Sequence, residues 1–598
     1  MNMNPFLLTD FYKLTHILQY RSELRELTSY LTPRGSRLKD IDKVVFFGLS
    51  AYVHSYVVEN FNMNFFNRPW WDSCNDVKDV LKEGLGYSDE MISKTLDNLH
   101  ALHELGYLPV EINAVAEGTL VPMSVPCIEI KSTNPQFFWV GQALEASLSA
   151  AIWHPMVSAT IAREYRKIAR EAFAKTVENG IDERVAMCDF SMRGQESNES
   201  AVNASVAWLT SMWNSSTVAA RKHIKDVYGK CDGNVRGLTS TEHSVMTSHA
   251  CLDGGDEIPT FKYLFDLYKN VSFAAVCDSY DFWNVLTNIL PNNFMQEIDE
   301  RGKRGVFIGV RHDSAEPVDA LCGTVPILHA DSVKRIPKDM LEDGTKLECM
   351  TLTFTEEEAN NLWEQGFREG NLVAVMCDGE EYLVRIRAVE HLRSIDVTVD
   401  KDCPTMWASG VLQNRPRTWE EKGMVETMYE IFGGTVNSKG FKVLNPGIKA
   451  VYGDSITITR AKKIYKRLAI KGFAANNVSL GVGSFSFQAL ENEDGSLSPF
   501  TRDTFSIAIK CCHSKYCDEY GTVCERHVYK DPRGWSQKKS QRGLCQIYFD
   551  ENGELIYKDE MYEKDLIGKN SALVAYFKDG QEFKQNFESI RETIDENL

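Results

Sequence analysis

Five short apolar runs, each followed by polar residues and then by a helical stretch, constrain the fold of this chain more than any other feature. The runs are RVAMC (184–188), VSFAAVC (271–277), GVFIGV (305–310), IKAVY (448–452) and VSLGV (478–482). Short buried strands that alternate with helices are typical of a parallel sheet with helices packed outside it. The pattern therefore predicts an α/β fold, as an open sheet or a closed barrel, from about residue 155 onward.

Residues suited to ligand binding stand directly after each run. They are Asp189, Phe190 and Arg193; Asp278, Ser279, Tyr280 and Asp281; Arg311, His312, Asp313 and Ser314; Gly453 and Asp454; and Gly483 and Ser484. The carboxyl ends of parallel strands meet on one rim, where α/β proteins bind their ligands. Polar residues also begin ordinary loops, but loop composition alone would favour Asn, Ser and Lys as well as Asp and Arg. The sequence therefore predicts one polar bowl at the strand ends.

The residue types in this bowl favour a phosphorylated sugar together with an aromatic ring. Guanidinium groups bind phosphate oxygens in pairs, and carboxylates suit Mg²⁺ and sugar hydroxyls. Glycines such as Gly453 and Gly483 let backbone amides approach a phosphate closely. Phe190, near Arg193, could stack on a flat ring. Taken alone, the pair Gly481-x-Gly483 is equally compatible with a simple tight turn.

Length, charge and cysteine usage limit the class of protein. The chain has 598 residues, enough for about two to four domains. Its formal net charge of −18 argues against general nucleic-acid binding, but not against a local basic pocket for anions. The start MNMNPFLLTDFYK lacks the features of a signal peptide, and no long apolar stretch predicts a membrane span. We therefore expect a cytoplasmic protein whose 15 cysteines are reduced.

The pattern differs outside the alternating region. Before about residue 155, the apolar helical stretch VVFFGLSAYVHSYVVENF and the meander LPVEINAVAEGTLVPMSVPCIEIKS predict a β-rich layer. SATIAREYRKIAREAFAKTVENG is predicted as an amphipathic helix that Ser158 opens and Asn179-Gly180 ends. Between about 325 and 428, a helix and a hairpin at Asp378-Gly379 predict a small inserted α+β domain. RDTFSIAIKCC, after residue 500, is an expected strand.

Three clusters have more than one interpretation at this level. His243 and Glu242, in TSTEHSVMTSH, could do chemistry, hold a metal or fill a polar corner. The basic loop YKDPRGWSQKKSQRG could be a solvated face or a polyanion site. A third cluster has no standard zinc spacing, so ordinary thiols are favoured over a structural zinc. It consists of Cys511, Cys512, His513, Cys517, Cys524 and His527.

Ten short motifs, in their order along the chain, resemble the nicotinamide phosphoribosyltransferase family. They are TDFYKLTH, SYLTPRG, VFFGL, CDFSMRG, EHS, DSYD, RHDS, SKGFK, GDSI and FTRD. The resemblance covers nearly the whole chain except about 325–428, where that family has only a short connection. Relatives that make nicotinate mononucleotide share part of the pattern, but DFYKLTH and EHS look more like the nicotinamide family.

The resemblance implies a type II phosphoribosyltransferase. Its irregular α/β barrel would comprise residues 155–324 and 429–499, beside a β-rich α+β domain built from 1–154 and 500–598. A homodimer with two active sites at its interface is implied. The reaction would join nicotinamide to 5-phosphoribosyl 1-pyrophosphate (PRPP), giving nicotinamide mononucleotide and pyrophosphate in NAD salvage. Mg²⁺ would be needed, and ATP would stimulate the reaction by phosphorylating a histidine.

The resemblance also assigns roles to residues. Around the base these are Phe190 and the partner subunit's Tyr12 as a sandwich, Arg311 as donor to the carboxamide oxygen, and Asp10 nearby. The phosphoribose would be held by Arg193, Asp278, Asp313, Gly453, Asp454, Gly483 and Ser484.

Mg²⁺ would bind mainly through substrate phosphates, with Asp278 and Asp313 as further candidate ligands. The pyrophosphate and ATP site across the interface would comprise Arg34, Arg502, Lys510 and Lys530. The catalytic group would be His243, which takes the phosphoryl group, with Asp313 and the nearest candidate orienter, Glu242. His249 would be structural.

One departure from the family concerns the choice of base. Ser216, in WNSSTVAA, stands where the family has an Asp that accepts from the carboxamide NH₂. An Asp repels the carboxylate of nicotinic acid, whereas a hydroxyl can donate to it. A nicotinate or dual-base enzyme is therefore an alternative, although the other motifs favour nicotinamide. Smaller departures are Ala315 and the pair Ser484-Phe485, where the family has glycines.

Two alternatives belong to other functional classes. One is a binding protein on the same fold that has lost turnover, which product formation from PRPP would exclude. The other is a metal-dependent hydrolase with His243 and His249 as ligands, which would carry stoichiometric transition metal.

Overall fold

The computed structural model describes residues 3–230, 233, 235–329, 332–340, 346–354, 370–377, 380–392, 405–413, 415–453, 455–492, 495–533 and 539–598. Asp454 and the predicted turn at Asp378-Gly379 lie outside these residues, as does most of the helix expected before that turn.

Six strands form a parallel sheet, which confirms the predicted α/β fold. In spatial order they are Asn214–Ser215, Met187–Asp189, Val478–Val482, Ile448–Tyr452, Ile308–His312 and Phe273–Val276. All five apolar runs contribute a strand, and most side chains in them are buried, as expected for a parallel sheet that helices cover. The short strand at 214–215 contains no apolar run, so the sequence did not predict it.

An extended segment at 235–241 closes the open side of this sheet into a barrel. At one edge Ser215 N donates to Arg236 O over 3.0 Å, and at the other edge Ala274 N donates to Thr239 O over 2.8 Å. The segment makes only isolated bridges with its two neighbours. The barrel is therefore irregular, because an extended loop takes the place of one strand.

A seven-stranded antiparallel sheet forms the second layer and draws on both ends of the chain. In spatial order its strands are Val523–His527, Ala508–Cys517, Leu24–Thr32, Ile128–Ser132, Val110–Ala114, Val574–Lys578 and Gln581–Glu582. In the central strand Tyr30 and Leu31 are fully buried, and Leu31 pairs with Ile509 on one side and with Ile128 on the other. The first and last strands of the predicted meander and the strand in RDTFSIAIKCC are part of this sheet, whereas the middle strand of the meander, Leu120–Pro122, pairs with Lys43–Val45.

Residues 327–412 contain a separate six-stranded sheet. In spatial order its strands are Ile327–His329, Leu372–Cys377, Glu380–Leu392, Thr405–Leu412, Lys346–Phe354 and Ser332–Met340. The two strands that flank the expected hairpin turn pair antiparallel, as predicted. The Arg417 side chain is only 1% exposed and pairs with Glu381 of this sheet and with Glu426. A buried ion-pair network therefore holds the sheet to the barrel side.

The helix Glu145–Thr176 runs from the antiparallel layer into the barrel. The start predicted at Ser158 is wrong, because this serine is fully buried inside the helix. Pro155 lies shortly before it, and a proline near a serine imitates a helix start. Gly48 packs on Pro155 with φ +101°, and a Cβ on Gly48 would lie 2.7 Å from Pro155 Cβ, so glycine is required there. The predicted domain boundary at 154/155 falls inside this helix.

The other helices surround the two sheets. They include Phe11–Gln19, Leu49–Tyr52, Trp70–Asp79, Asp89–Leu105, Val140–Ala143, Asn198–Leu209, Val218–Tyr228, His243–Leu252, Ile258–Leu267, Phe282–Asn284, Leu290–Lys303, Pro317–Cys322, Trp419–Lys422, Met424–Phe432, Ile458–Ile470, Glu563–Leu566 and Phe587–Glu596. Two-stranded ribbons pair Lys43–Val45 with Leu120–Pro122, Gly434–Val436 with Lys442–Leu444, Ala489–Glu491 with Leu497–Pro499, and Leu544–Phe549 with Leu555–Met561. None of the helices in the described part of the chain is both long and apolar enough to cross a membrane.

Candidate active site

Arg311 and Asp313 form a bidentate pair at the end of the strand Ile308–His312. Arg311 Nε donates to Asp313 Oδ1 over 2.9 Å, and Nη2 donates to Asp313 Oδ2 over 2.5 Å. Arg311 Nη1 donates to Ser240 Oγ (3.0 Å) and to Thr241 O (3.1 Å), in the segment that closes the barrel. Four of the five guanidinium N–H groups are thus occupied, which fixes the plane of the group and leaves one N–H for a ligand.

Gly453, directly after the strand Ile448–Tyr452, packs against this pair. A Cβ at this position would lie 2.1 Å from Asp313 Oδ1 and 2.5 Å from Arg311 Nε. Both distances are far below van der Waals contact, so only glycine lets the pair close on the backbone. The next residue, Asp454, is outside the described residues.

Asp278 follows the strand Phe273–Val276, and its side chain is only 4% exposed. Its Oδ2 accepts hydrogen bonds from the amides of Asp313 (2.9 Å) and Ser314 (2.7 Å). Burial alone would raise the pKa of Asp278, but the hydrogen bonds from Ser314 and Asp313, together with His312, lower the pKa below its usual value. Asp278 Oδ1 has no hydrogen-bond partner in the described part of the chain, so it is available to a ligand or an imidazolium.

His243 is the first residue of its helix, and its side chain is about half exposed. Its Nε2 lies 3.8 Å from Asp278 Oδ1, and its Nδ1 lies 3.2 Å from Ser279 Oγ. Asp278 therefore takes the position beside the imidazole that the sequence analysis expected for Glu242. The Glu242 carboxylate instead accepts a hydrogen bond from Ser244 Oγ, because adjacent side chains at a helix start point in different directions.

Phe190 and Ser216 stand at the ends of two adjacent strands of the barrel. The guanidinium carbon of Arg311 is 6.0 Å from the centroid of the Phe190 ring. Ser216 N donates to Asp189 O over 2.8 Å, and the Ser216 side chain is exposed. This end of the bowl combines an aromatic face, a guanidinium and a hydroxyl, which suits a flat ring with a polar substituent.

The loops after two neighbouring strands meet at another side of the bowl. Arg193 lies in the turn Met192–Gly194, and a Cβ on Gly194 would be 2.1 Å from Ser484 Oγ. Gly483 directly precedes Ser484. The structure thus brings Arg193, Gly483 and Ser484 together, with the Arg193 side chain exposed.

The remaining predicted ligand-binding residues form a second group outside the bowl. Asp10, Tyr12 and Arg502 line one cavity of about 660 Å³, and Tyr12 is 57% exposed. Across the described residues, no hydrogen bond or ion pair joins these three side chains to Arg311, Asp313 or the rest of the bowl. The same cavity is also lined by Glu196 and Ser197, which follow Arg193 in the loop after its strand.

Four cations predicted to bind pyrophosphate belong to this second group. Burial, and then the like charge of Arg502, lower the pKa of Arg34. Burial also lowers the pKa of Lys510; Glu145 opposes this, whereas Arg34 and Lys530 lower the pKa further. Two carboxylates lie among these cations, since Arg502 pairs with Asp503 over 2.8 Å and Lys510 Nζ lies 3.7 Å from a Glu145 oxygen. A cluster in which cations outnumber carboxylates suits an anion.

Comparisons with known proteins identify the family of this chain. The model described as the nicotinate phosphoribosyltransferase (NAPRTase) family matches residues 185–354 and 400–546, which include every strand of the barrel. The chain belongs to the nicotinate phosphoribosyltransferase family. It is therefore an enzyme of the phosphoribosyltransferase class.

Several relatives of this phosphoribosyltransferase carry a nicotinamide name. A model described as the nicotinamide phosphoribosyltransferase N-terminal domain matches residues 4–112. The chain is 28% identical over its whole length to the nicotinamide phosphoribosyltransferase of Acinetobacter baylyi, of which it covers 98%. It is 24% identical to the enzyme of the same name from Mycoplasma pneumoniae, over 82% of this chain and 87% of that protein. Human nicotinic acid phosphoribosyltransferase, a solved structure, is 14% identical with a TM-score of 0.46, over 98% of this chain and 93% of that one.

Sequence reasoning missed residues that support the site of this phosphoribosyltransferase. Ser240 and Thr241 hold the Arg311 guanidinium, but they stand in a stretch without an apolar run and so gave no strand signal. The buried His312 ring packs against Phe282 at a centroid distance of 4.0 Å, and its Nδ1 lies 3.8 Å from Asp278 Oδ2. The sequence analysis named His312 among the polar residues at this strand end but gave it no role of its own.

The histidines considered as metal ligands have other partners. The His249 ring packs against Tyr263 with 5.1 Å between centroids and the ring planes tilted by 41°, and His513 Nε2 lies 2.9 Å from a Glu525 carboxylate oxygen. Within the ranges that the structure describes, no group of three or more His, Cys, Asp or Glu side chains is arranged to hold a metal ion. The structure therefore gives no support to a zinc site or to the hydrolase interpretation.

Proposed function

We propose that this phosphoribosyltransferase joins nicotinamide to PRPP and forms nicotinamide mononucleotide and pyrophosphate, in NAD salvage. The Arg311–Asp313 pair carries the proposal, since it closes on Gly453 beside Phe190 and keeps one guanidinium N–H free. An aromatic ring that bears a neutral carbonyl acceptor fits these groups. The names of the relatives and the match of residues 4–112 support the same base.

The base is held by stacking and by two polar contacts. Phe190 covers one face of the pyridine ring, and Tyr12 of the partner subunit covers the other. The free Arg311 N–H donates to the carboxamide oxygen, and Ser216 Oγ accepts from the carboxamide NH₂. Asp10 lies near the base on the partner's side. Fixing the ring in this way directs its nitrogen lone pair at the ribose carbon.

The transfer step breaks the C1–O bond to pyrophosphate and forms the C1–N bond to the pyridine nitrogen. The bonding electron pair leaves with pyrophosphate, so negative charge grows on the leaving group and positive charge on the ribose. Arg193, Gly453, Gly483 and Ser484, with Asp454, hold the 5′-phosphate. Asp278 and Asp313 face the ribose, where their charge stabilises the developing cation.

A magnesium ion at this site would be held mainly by phosphate oxygens of the substrate and only to a small extent by the protein. Both Asp313 oxygens are taken by Arg311, and Asp278 Oδ2 is taken by two amides. Asp278 Oδ1 has no hydrogen-bond partner among the described residues, but it is buried and lies 3.8 Å from His243 Nε2, so the protein would contribute little to holding the ion. Diphosphate oxygens of PRPP supply the other ligands, which is the usual way that proteins hold Mg²⁺. When bound, the ion would neutralise charge on the departing pyrophosphate.

ATP stimulates the reaction through His243. An imidazole nitrogen attacks the γ-phosphorus, the bond to ADP breaks, and the imidazole N–H proton is held by Asp278. The half-exposed ring of His243, with Asp278 Oδ1 3.8 Å from its Nε2, supports this role.

The active site is completed by a second copy of the chain. Among the described residues, no hydrogen bond or ion pair joins the second group to Arg311, Asp313 or Asp278; this group comprises Asp10, Tyr12 and the four cations Arg34, Arg502, Lys510 and Lys530. In a symmetric homodimer they face the bowl of the partner, where the cations meet pyrophosphate and the ATP phosphates. A cytoplasmic location suits the free thiols, which stay reduced there.

A synthesis assay with PRPP and Mg²⁺ tests the function. Nicotinamide and nicotinate are offered separately, with and without ATP, and mononucleotide and pyrophosphate are both measured. We expect nicotinamide mononucleotide and a faster rate with ATP. A nicotinate or dual-base enzyme is the second candidate, favoured by Ser216 and by the name of the family model, and it would turn over nicotinate at a comparable rate. No product from either base would contradict both candidates and favour the binding protein.

A further inference from the structure

Asp189 is a buried carboxylate next to the base-binding residues that has no cationic partner. It is the last residue of the strand Met187–Asp189 and has no exposed surface. Its Oδ1 accepts from Ser191 N (2.8 Å), and its Oδ2 accepts from Ser205 Oγ (2.6 Å) and Ser215 Oγ (2.8 Å). Among the residues that the structure describes, no Lys, Arg or His forms an ion pair with it. Buried charges usually have such a partner, so this one calls for a reason.

The hydrogen-bond network of Asp189 leads directly to the base-binding loop. Ser205 Oγ also lies 2.7 Å from Thr217 Oγ1, and Thr217 N donates to Ser215 Oγ over 3.1 Å. Ser216, between them, donates its amide to Asp189 O. The network therefore fixes the backbone on both sides of Ser216, whose side chain alone is exposed.

The charges around the base do not cancel. The Arg311 guanidinium would attract a carboxylate, but Asp313 already neutralises it through two hydrogen bonds. Asp189 accepts hydrogen bonds only from two hydroxyls and an amide. These neutral donors stabilise the carboxylate, but they do not cancel its negative charge. Asp189 thus places a negative charge, with no cation paired to it among the described residues, directly behind the loop that carries Ser216, and Coulomb repulsion acts over several ångströms in a partly buried site.

We infer that Asp189 is the residue that makes this site prefer a neutral carboxamide over a carboxylate, acting through the loop that carries Ser216 and through its unpaired charge. It does not touch the base, so it is a positioning and specificity-determining residue. The inference rests on the proposed function. It resolves the difficulty that Ser216 has no charge of its own with which to reject nicotinate.

Asp189→Asn tests the inference, because it keeps the shape and most hydrogen bonds but removes the charge. We expect the ratio of kcat/KM for nicotinamide to that for nicotinate to fall about tenfold or more.

Ser205→Ala is the matched control, since it removes a neutral hydrogen bond and keeps the charge; it should lower both efficiencies and leave the ratio within about twofold. Adding Ser216→Asp to Asp189→Asn should restore the preference for nicotinamide. If Asp189→Asn lowers both bases equally, or Ser205→Ala shifts the ratio as much, Asp189 has only a structural role.

A measurement without any substitution keeps the test informative should Asp189→Asn fail to fold. 3-Acetylpyridine and nicotinate both lack the amide N–H donors, but only nicotinate is charged. The native enzyme should therefore be inhibited more strongly by 3-acetylpyridine than by nicotinate. Equal or stronger inhibition by nicotinate would overturn the inference. If the native enzyme made no nicotinamide mononucleotide at all, the proposed function would fail instead, which is a different result.

Discussion

Gly453 illustrates how closely the active-site groups of this enzyme are packed at the scale of one residue. The strand end that carries Gly453 lies against the Arg311–Asp313 pair, and no space exists for even one methyl group. Arg311 in turn has a single free N–H, because Ser240, Thr241 and Asp313 take the others. The orientation of the guanidinium therefore depends on residues from three separate parts of the chain.

Gly453→Ala should separate the Arg311–Asp313 pair and displace the N–H that meets the carboxamide oxygen. Since a displacement of about 1 Å can cost roughly 100-fold in rate, we expect kcat/KM for nicotinamide to fall by about that factor. The backbone at Gly453 has no positive φ, so the loss of stability should come only from crowding of the pair and should be about 1–3 kcal/mol. Gly233→Ala is the control, because a Cβ there would meet nothing within 4 Å. Unchanged kcat/KM in Gly453→Ala would contradict the close packing.

His243→Ala should abolish the stimulation by ATP and leave slow synthesis without ATP, because the phosphoryl acceptor is lost while the bowl stays intact. Rates with and without ATP, measured at saturating PRPP, provide the check. His249→Ala is the control, since His249 lies on the same helix but packs against Tyr263; this variant should keep the stimulation. Equal loss of both rates in His243→Ala would mean that the imidazole has another essential task.

At the scale of secondary-structure elements, the apolar runs predicted the strand ends, whereas only the family resemblance predicted that the strands close into an irregular barrel. The five apolar runs gave the strands, and parallel pairing alone then places Arg311, Gly453 and Phe190 on one rim. The segment 235–241 closes the barrel through a few backbone bonds without an apolar pattern, so no sequence period announces it. The partner of His243 was also missed: Glu242 is its neighbour in sequence, but Asp278 reaches it from another strand end. Pro155 and Ser158 gave a false helix start inside Glu145–Thr176.

The helix Ile258–Leu267 begins at a glutamate that works against stability at neutral pH. Burial, and then the charges of Asp256 and Asp281, raise the pKa of Glu257 from 4.5 to about 7. The Glu257 side chain makes no capping hydrogen bond to the helix. Between pH 4.5 and about 7 the folded enzyme keeps a proton that the unfolded chain has lost. The contribution of Glu257 to stability therefore falls as the pH rises through this window and is level above it.

Glu257→Gln should remove this part of the pH dependence. We expect the variant and the parent to unfold at similar midpoints near pH 5 and the variant to be the more stable at pH 8, by about 3 kcal/mol at most. Thermal midpoints over this pH range measure the difference. Asp256→Asn, which removes one of the two charges that raise the pKa, should give a smaller shift of the same sign. A difference that does not depend on pH would contradict the assignment.

At the scale of the whole molecule, the residues assigned to the substrates fall into two groups that no hydrogen bond or ion pair joins in the described part of the chain. The bowl offers Phe190, Arg311 and Asp278, whereas the antiparallel layer offers Tyr12 and a cluster of mutually repelling cations. Sequence motifs predicted the residues of both groups. The sequence cannot show whether the second group serves the bowl of its own chain or that of a second copy, because that depends on how two copies associate. Our central claim is that the bowl of one subunit and the cations of the other form one phosphoribosyl-transfer site.

A heterodimer of two differently inactivated chains tests this claim most directly. One chain carries Arg311→Lys, which cannot form the bidentate pair, and the other carries Lys510→Ala; the two are co-expressed with different tags and the mixed dimer is purified. Each variant alone should be nearly inactive. In the mixed dimer one site combines two native halves, so we predict about half of the native activity per dimer. A mixed dimer as inactive as its parents, or a native enzyme that sediments as a monomer and is fully active, would contradict the account.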